Sequence, residues 1–242
     1  MQAWLIDLKA TFELNFIQAD RWKYLANGLG TTLIITLLAG LIGMVIGVII
    51  AMIRSTYDKT AANSRPSLGR KLFGVVDWFC RVYLTVLRGT PVLIQLMIIY
   101  YVIFVSSDNG TLVAALAFGL NSGAYVAEIV RGGIMSIDNG QFEAGRSLGF
   151  NYLQTMRFIV IPQTIKNVLP SLANEMIALL KETSVAGYVA VVDLTKGGDI
   201  IRSRTYSAFM PLIGVALIYL VLVMFFTKLV SLLERRLRNS DH

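Results

Sequence analysis

The residues best suited to bind a small charged molecule lie where a long apolar stretch is interrupted. Arg88, Gly89, Thr90 and Pro91 open a segment that carries no further charge up to Ser107. Because proline lacks an amide hydrogen and disfavours helical backbone before it, we predict a helix break here. Thr90 is then expected to cap the new helix, with Pro91 at its first position. The new N-terminus presents unpaired amides and a positive end, which suit a carboxylate.

A second polar group interrupts the apolar stretch that begins at Phe158, where Asn174 and Glu175 stand side by side. Counted along ideal helices, Arg88 lies ~24 Å from Leu72 and Glu175 lies ~26 Å from Phe158, so both reach a similar depth. An ionisable group at such a depth is expensive and is a site candidate by default. We therefore predict one site, in which Arg88 and the neighbouring amides take a carboxylate. Glu175 and Asn174 are expected to take an amino or side-chain group.

Gln95 follows the break by one and a half helical turns, and we predict that it lines the same cavity. Two alternatives remain open. The break can be a packing kink without a ligand, and Glu175 can be a structural residue that pairs with Arg88 or Lys181.

A third polar face is formed by Tyr125, Glu128 and Arg131. Glu128 and Arg131 are three residues apart, so an ion pair between them is predicted. We assign this face a gating or structural role rather than substrate contact. Glu182, in the stretch KETS, is expected either to cap the site or to contact a partner protein outside the membrane.

Composition excludes several kinds of chemistry. Cys80 and His242 are the only cysteine and the only histidine, so no internal disulfide and no thiol metal cluster can form, and a Ser/His/Asp triad would have only the last residue to draw on. We predict no catalytic residues and no metal ligands. The chain is 55% hydrophobic and only 15% charged, whereas a soluble domain carries about 25% charged residues. The net charge of +7 is therefore taken as basic flanks of membrane helices, not as a nucleic-acid surface.

Hydropathy predicts an all-α integral membrane protein with one domain. A bilayer needs about 20 apolar residues of helix, and five segments come close to this length: residues 29–53, 89–107, 110–127, 158–180 and 205–227. An apolar stripe from Leu72 to Leu87 feeds the second span, and Asp77 and Arg81 can pair on its opposite face.

The loops suggest an orientation. Basic residues follow the first span, at Arg54, Lys59, Arg65, Arg70 and Lys71, and others lie in the C-terminal tail, whereas the loop after the second span has none. With five spans, this places the N-terminus outside and the C-terminus in the cytoplasm. The four basic residues between Lys181 and Arg204 argue against it.

The stretch EAGRSLGFNYLQTMRFIVIP, residues 143–162, is cytoplasmic in this topology. A short helix is predicted over about residues 139–150, so it includes the start of this stretch, and Gly149 is expected to end it. The stretch resembles the EAA loop of ABC importer permeases in Glu143, Ala144, Gly149, Ile159 and Pro162. Gly145 stands where that family has a second alanine, and Ile161 stands where it has leucine.

Further stretches resemble the polar amino acid branch of that family, the histidine/glutamine/arginine type: GLGTTLIITLLAGLIGMVIGVIIAMIR, LRGTPVLIQL, SGAYVAEIVRGGI and PSLANEMIALLKETSVAGYVAVVDL. The resemblance implies the type I (MetI-like) importer permease fold over residues 28–242, preceded by an N-terminal segment, 1–27, that is either an interfacial helix or a loosely ordered leader. It also implies a coupling helix that docks into an ATP-binding subunit. Its contact residues are Glu143, Ala144, Gly145, Arg146, Leu148 and Gly149.

The chain contains no phosphate-binding loop of the type GxxxxGK[ST], so ATP and Mg²⁺ are expected on the partner and no cofactor on this chain. The resemblance implies two ATP-binding subunits, a second permease subunit and an extracytoplasmic amino-acid-binding protein as partners. It places this chain in the cytoplasmic membrane of a prokaryote. The rival interpretations are an ion-driven transporter, which predicts inverted repeats, and a membrane scaffold or sensor. The sequence leaves cationic, acidic and amide substrates open.

Overall fold

The computed structural model describes residues 9–61 and 68–238, and helices are its only regular elements over those residues. Nine α-helices follow one another within the described ranges: α1 Trp22–Ala61, α2 Leu68–Gly89, α3 Val92–Ile98, α4 Gly110–Met135, α5 Asn139–Ser147, α6 Tyr152–Thr155, α7 Ile161–Glu182, α8 Leu194–Thr205 and α9 Phe209–Arg238. Turns of π-helix or 3₁₀-helix extend several of them, at Glu13–Ile17, Gln18–Asp20, Ile99–Ile103, Met156–Val160 and Thr183–Val189.

Three helices in the described part of the chain are long and apolar enough to cross a membrane: Trp22–Lys59, Gly110–Met135 and Phe209–Arg236. A fourth candidate is the broken pair Leu68–Gly89 and Val92–Ile103. The predicted span over residues 158–180 does form a helix, α7, but it does not meet the same criterion, because Lys166, Glu175 and other polar residues lower its mean hydropathy. Five spans are therefore not confirmed by length and composition.

The chain divides into two compact units. The first contains the described residues of Met1–Ala39, Val92–Phe118 and Ile177–Lys228, and the second those of Gly40–Pro91, Gly119–Met176 and Leu229–His242.

In the first unit, a small core joins the start of α1 to α8 and α9 through Leu25, Leu194, Ile201 and Val215. The N-terminal segment is tied to this unit by Asn15, whose side chain is fully buried. Asn15 donates to the carbonyl of Thr11 at 2.7 Å and accepts from Thr205 Oγ1 at 2.8 Å.

Residues 9–17 form helical turns, and Ala19 and Asp20 have positive φ. The choice between an interfacial helix and a loosely ordered leader stays open. Residues 1–8 lie outside the described part of the chain. The interfacial position of the segment and the domain boundary at residue 28 stay predictions.

In the second unit, α4 supplies the centre of the core. Val126, Val130 and Ile134 pack with Val168 and Leu172 of α7. A Cβ at Gly133 would stand only 2.0 Å from Val168 Cγ1, so the Val168 side chain of α7 packs directly onto the backbone of α4. Small residues serve this purpose in the packing of membrane helices.

The apolar stripe predicted on α2 is only partly buried. The helix begins at Leu68, four residues earlier than expected. Its buried positions are Asp77, Cys80 and Leu84, whereas Leu72 and Phe79 are exposed. Most of the stripe faces outward, toward the lipid that surrounds a membrane protein. The opposite face of α2 turns inward because it carries the buried Asp77.

Candidate functional site

The helix break at Arg88–Pro91 lies where the sequence predicts it. α2 ends at Gly89 and α3 begins at Val92, and residues 88–91 are all exposed. The Thr90 hydroxyl donates to the carbonyl of Val86 at 2.8 Å, so it bonds back to the end of α2. The capping of α3 by Thr90 stays a prediction, and α3 begins one residue after Pro91.

Beside the break, the second unit contains an open cavity of about 560 Å³. Four of the predicted site residues line it, namely Arg88, Gly89, Tyr125 and Glu128, together with Arg54, Arg81, Leu84 and Thr85. The guanidinium of Arg88 lies 5.5 Å from the centre of the Tyr125 ring, and its Nη1 lies 3.7 Å from Glu128 Oε2. The residues at the helix break and the polar face of α4, which are far apart in the sequence, therefore line the same cavity.

The predicted ion pair between Glu128 and Arg131 is wrong. Glu128 accepts from Arg54 Nη1 at 3.4 Å and faces Arg88, whereas Arg131 Nη2 lies 3.0 Å from Asp58 Oδ2. The physical reason is that α1 packs along α4 in this unit. Arg54 and Asp58 stand one turn apart on α1, as Glu128 and Arg131 do on α4. Arg54 therefore meets Glu128, and Asp58 meets Arg131.

Arg54 and Asp77 are site residues that the sequence analysis missed. Arg54 was expected in a loop, but it lies within α1 and its side chain is only 13% exposed. Asp77 is buried between Arg54 at 3.5 Å and Arg81 at 2.7 Å, which confirms the predicted Asp77–Arg81 pair. A buried carboxylate is stable only when it is paired. The available signal was a single acid on the face of α2 opposite its apolar stripe.

Glu175 is held by α4. Ser122, which is 1% exposed, donates its hydroxyl to Glu175 Oε1 at 2.9 Å. The neighbouring Asn121 donates to the carbonyl of Leu87 at 3.2 Å, next to the helix break. Two adjacent residues of α4 thus position the carboxylate on α7 and the last turn of α2. Sequence reasoning missed both, because small polar residues in a helix carry no distinctive signal.

The remaining predicted site residues are more dispersed. Asn174 is exposed and donates to the carbonyl of Pro170 at 3.1 Å. Gln95 and Glu182 belong to the first unit, where Gln95 is buried and Glu182 half-buried. Their placement beside Arg88 stays a prediction. No group of three or more His, Cys, Asp or Glu side chains that could hold a metal ion lies among the described residues.

The predicted coupling helix is α5. Asp138 caps it by accepting from the amide of Gly140 at 2.6 Å. Gly149 has φ +79°, and the amides of Gly149 and Phe150 donate to the carbonyls of Arg146 and Gly145. This is the Schellman arrangement that ends a helix at a left-handed glycine. The helix therefore stops where the sequence predicts.

Five of the six predicted contact residues of α5 are exposed. Glu143, Ala144, Arg146, Leu148 and Gly149 are exposed, and Gly145 is buried. A Cβ at Gly145 would lie 2.6 Å from Thr155 Oγ1. Glycine at this position, instead of the second alanine of the EAA pattern, follows from that close approach.

A cavity of about 390 Å³ lies against α5 and is lined by Lys59, Asn139, Phe142, Glu143, Arg146, Tyr152 and Thr155. Lys59, near the end of α1, donates to Asn139 Oδ1 at 2.8 Å. Burial raises the pKa of Tyr152, and its hydroxyl lies 3.5 Å from Thr56 Oγ1. Thus α1 holds both ends of the α5–α6 segment.

The sequence matches a family of known proteins over most of its length. The model for "Binding-protein-dependent transport system inner membrane component" covers residues 67–239. A protein of Rickettsia bellii (strain RML369-C) that carries the name glutamine transport system permease protein GlnP is 40% identical over 162 residues, which is 66% of this chain and 74% of the relative. The arginine transport system permease protein ArtQ of Bacillus subtilis (strain 168) is 38% identical over 167 residues, which is 68% of this chain and 76% of the relative.

Solved structures agree with this match. An amino acid ABC transporter crystallised with histidines is 41% identical and superposes with a TM-score of 0.76, covering 88% of this chain and 94% of the other. The inward-facing MetNI methionine ABC transporter, at 20% identity, superposes with a TM-score of 0.74 over 91% of this chain and 99% of the other, and it supports the fold alone. The chain therefore belongs to the family of binding-protein-dependent transport system inner membrane components, and it is a multi-pass permease subunit of an ABC importer with the type I fold, not an enzyme.

Proposed function

We propose that this permease moves polar amino acids into the cytoplasm by alternating access. The observation that carries the proposal is the presence in one unit of an exposed Arg88 at a helix break and of Glu175 held by Ser122. A zwitterionic amino acid needs a cationic and an anionic contact of this kind. The relatives named for glutamine and arginine transport point to the same substrate class.

In the proposed site, Arg88 and the backbone of Gly89, Thr90 and Pro91 receive the substrate carboxylate. Glu175 receives the amino group or a polar side chain. Asn174, Gln95 and Glu182 are assigned to the same pathway on sequence grounds, and Glu128, Tyr125 and Arg131 to its gate. Removing one ionic contact between this site and the substrate should lower the affinity for the substrate strongly, because the charge left behind has no partner.

The energy is proposed to arrive through α5. Glu143, Ala144, Arg146, Leu148 and Gly149 form its exposed surface, which suits a groove on an ATP-binding subunit that carries Mg²⁺ and ATP. Closure of two such subunits would displace α5 and turn the pathway outward, and hydrolysis would reset it.

The assembly is proposed to contain two permease chains, identical or closely homologous, since one chain of this size encloses a pathway poorly. Two ATP-binding subunits face the cytoplasm and an amino-acid-binding protein delivers the substrate from outside. The N-terminus is placed outside and the C-terminus in the cytoplasm, from the distribution of Lys and Arg.

The deciding experiment measures ATP hydrolysis by the reconstituted assembly. The chain is co-expressed with the ATPase encoded beside it, placed in lipid, and assayed with the neighbouring binding protein and a panel of amino acids. Wild type is compared with Glu143→Arg on α5 and with Glu234→Arg, the same charge reversal at an exposed position on α9. We expect one loaded binding protein to stimulate wild type and Glu234→Arg but not Glu143→Arg.

Two results would contradict the proposal. If no ATPase co-purifies and labelled amino acids still enter liposomes on an ion gradient, the protein works as a secondary transporter. If stimulation occurs with a substrate that is not an amino acid, the coupling assignment holds and the substrate class is wrong.

A further inference from the structure

A chain of alternating charges runs along the cavity in the second unit. In order of contact it consists of Arg81, Asp77, Arg54, Glu128 and Arg88. The four successive contacts measure 2.7, 3.5, 3.4 and 3.7 Å. Both ends of this chain are guanidinium groups, and both ends line the same cavity.

The chain carries one uncompensated positive charge, because three guanidinium groups face two carboxylates. Arg54, at its centre, is enclosed by both acids and is 13% exposed, whereas the side chains of Arg81 and Arg88 are 51% and 44% exposed. The nearby pair of Arg131 and Asp58 adds no net charge. The excess positive charge is therefore presented at the two ends, toward the cavity.

The guanidinium groups of Arg81 and Arg88, at the two ends, also carry hydrogen-bond donors. Arg81 contacts Asp77 through Nε, so its two terminal amino groups can reach a ligand. Arg88 approaches Glu128 only through Nη1, at 3.7 Å, which is longer than a hydrogen bond. A planar guanidinium with free amino groups binds a carboxylate well.

We propose that this cavity is a carboxylate-binding site in its own right, with Arg81 as its second anchor. It takes the α-carboxylate of the transported amino acid after the substrate leaves the helix break. Arg81 lies two turns before Arg88 on the same face of α2, ~10 Å along the helix. The inference rests on the proposed function and extends the pathway by one step toward the end of α2 that the predicted topology places in the cytoplasm.

A lipid phosphate has related chemistry and is the other source of a single negative charge. The substrate is favoured because the cavity continues to Gly89 at the break, and the cavity is large enough to admit an amino acid. The test must separate the two sources.

The test is equilibrium binding of radiolabelled L-glutamine and L-arginine to the permease–ATPase assembly, without nucleotide and without binding protein, in nanodiscs of neutral lipid. Arg81→Gln should weaken binding about tenfold, as expected for one half-exposed charged contact. Arg81→Lys keeps the charge and should restore most of the affinity. Arg157→Gln, which removes a charge from a different part of the second unit, should have no effect. L-Glutaminamide, which lacks the carboxylate, should not compete.

Asp77→Asn tests the direction in which substrate affinity changes. It keeps the shape of a buried side chain and raises the excess charge by one, so binding should tighten severalfold. Misfolding around α2 would weaken binding in both variants, whereas an electrostatic site moves them in opposite directions. Monodisperse elution and co-purification of the ATPase subunit serve as checks on folding.

Three outcomes would overturn the inference. Arg81→Gln with wild-type affinity, alongside loss of binding in Arg88→Gln, confines the carboxylate to the break. Weaker binding in Asp77→Asn makes Arg81 a structural partner only. If anionic lipid co-purifies with wild type and not with Arg81→Gln, and amino acids do not compete with it, the occupant is lipid. Failure of the proposed function is distinct, since it appears as absent stimulation by a loaded binding protein.

Discussion

The ammonium of Lys59, near the end of α1, lies 4.6 Å from the centre of the Phe142 ring in α5. The same amino group donates to Asn139 in the first turn of α5. Helix α5 is thus attached to the helix that also carries Asp58 and Arg54. A displacement of α5 would reach the wall of the cavity beside the helix break through α1.

Lys59→Met is expected to uncouple the transporter. The variant loses a cation–π contact and a hydrogen bond, so transport per ATP hydrolysed should fall about three- to tenfold. Basal ATP hydrolysis should change less than transport, because Lys59 is not one of the residues proposed to contact the ATP-binding subunit. Uptake and hydrolysis measured on the same proteoliposomes give the ratio. Lys59→Arg should retain coupling, and an equal loss in both variants would remove Lys59 from the mechanism.

Ser122→Ala should loosen the substrate site without disturbing coupling. Glu175 loses a buried hydroxyl donor, and a hydrogen bond to a charged group contributes roughly 1.5–3 kcal/mol. Substrate binding to the assembly should weaken about tenfold. Ser136→Ala, which removes an exposed hydroxyl outside the cavity, is the matched control. Unchanged affinity in Ser122→Ala would show that Glu175 does not meet the substrate.

Gly145→Ala restores the EAA pattern and should nevertheless destabilise the protein. The new Cβ would stand 2.6 Å from Thr155 Oγ1, and overpacking of this kind costs about 1–3 kcal/mol. Thermal unfolding in detergent measures the loss. The double variant with Thr155→Ala should recover part of the stability, and a stable single variant would show that α5 and α6 can separate freely.

Gly149→Ala tests the end of α5 through its backbone. A residue with a Cβ is strained at φ +79°, by about 1 kcal/mol. Gly132→Ala lies in the interior of α4 with open space around it and should be neutral or stabilising, because alanine favours helix. Because neither glycine is crowded, the difference between the two melting temperatures reports the backbone strain at residue 149. Equal melting temperatures would exclude a left-handed requirement at residue 149.

Low pH should reduce the stability of α8. Hydrogen bonds from Arg202 and then from Lys196 hold the pKa of Asp199 below its ordinary value. The charged carboxylate therefore stabilises the fold above the unfolded pKa of about 3.9, and this stabilisation is lost as pH falls through the lower, folded value. Comparison of wild type and Asp199→Asn by thermal unfolding should show a difference that shrinks below about pH 4. A constant difference across the range would mean that Asp199 acts by shape alone.

The sequence by itself determined the features that depend on neighbouring residues. Pro91 cannot continue α2 because it has no amide hydrogen, so the break was predictable from four letters. Gly149 ends α5 because only glycine adopts its backbone conformation without strain. The run of apolar residues determined a helical membrane protein, and the EAA spacing indicated the family.

Only the tertiary structure decided the partners of the charges. Glu128 pairs with Arg54 and Arg88, not with Arg131, because ion pairs form wherever packing brings opposite charges within reach. Spacing along one helix reveals only neighbours three and four residues away, so it found the pair of Asp77 and Arg81 and missed Arg54 between the two acids. Which face of α2 turns inward was likewise undecided by hydropathy, because lipid accepts an apolar face as readily as a protein core does.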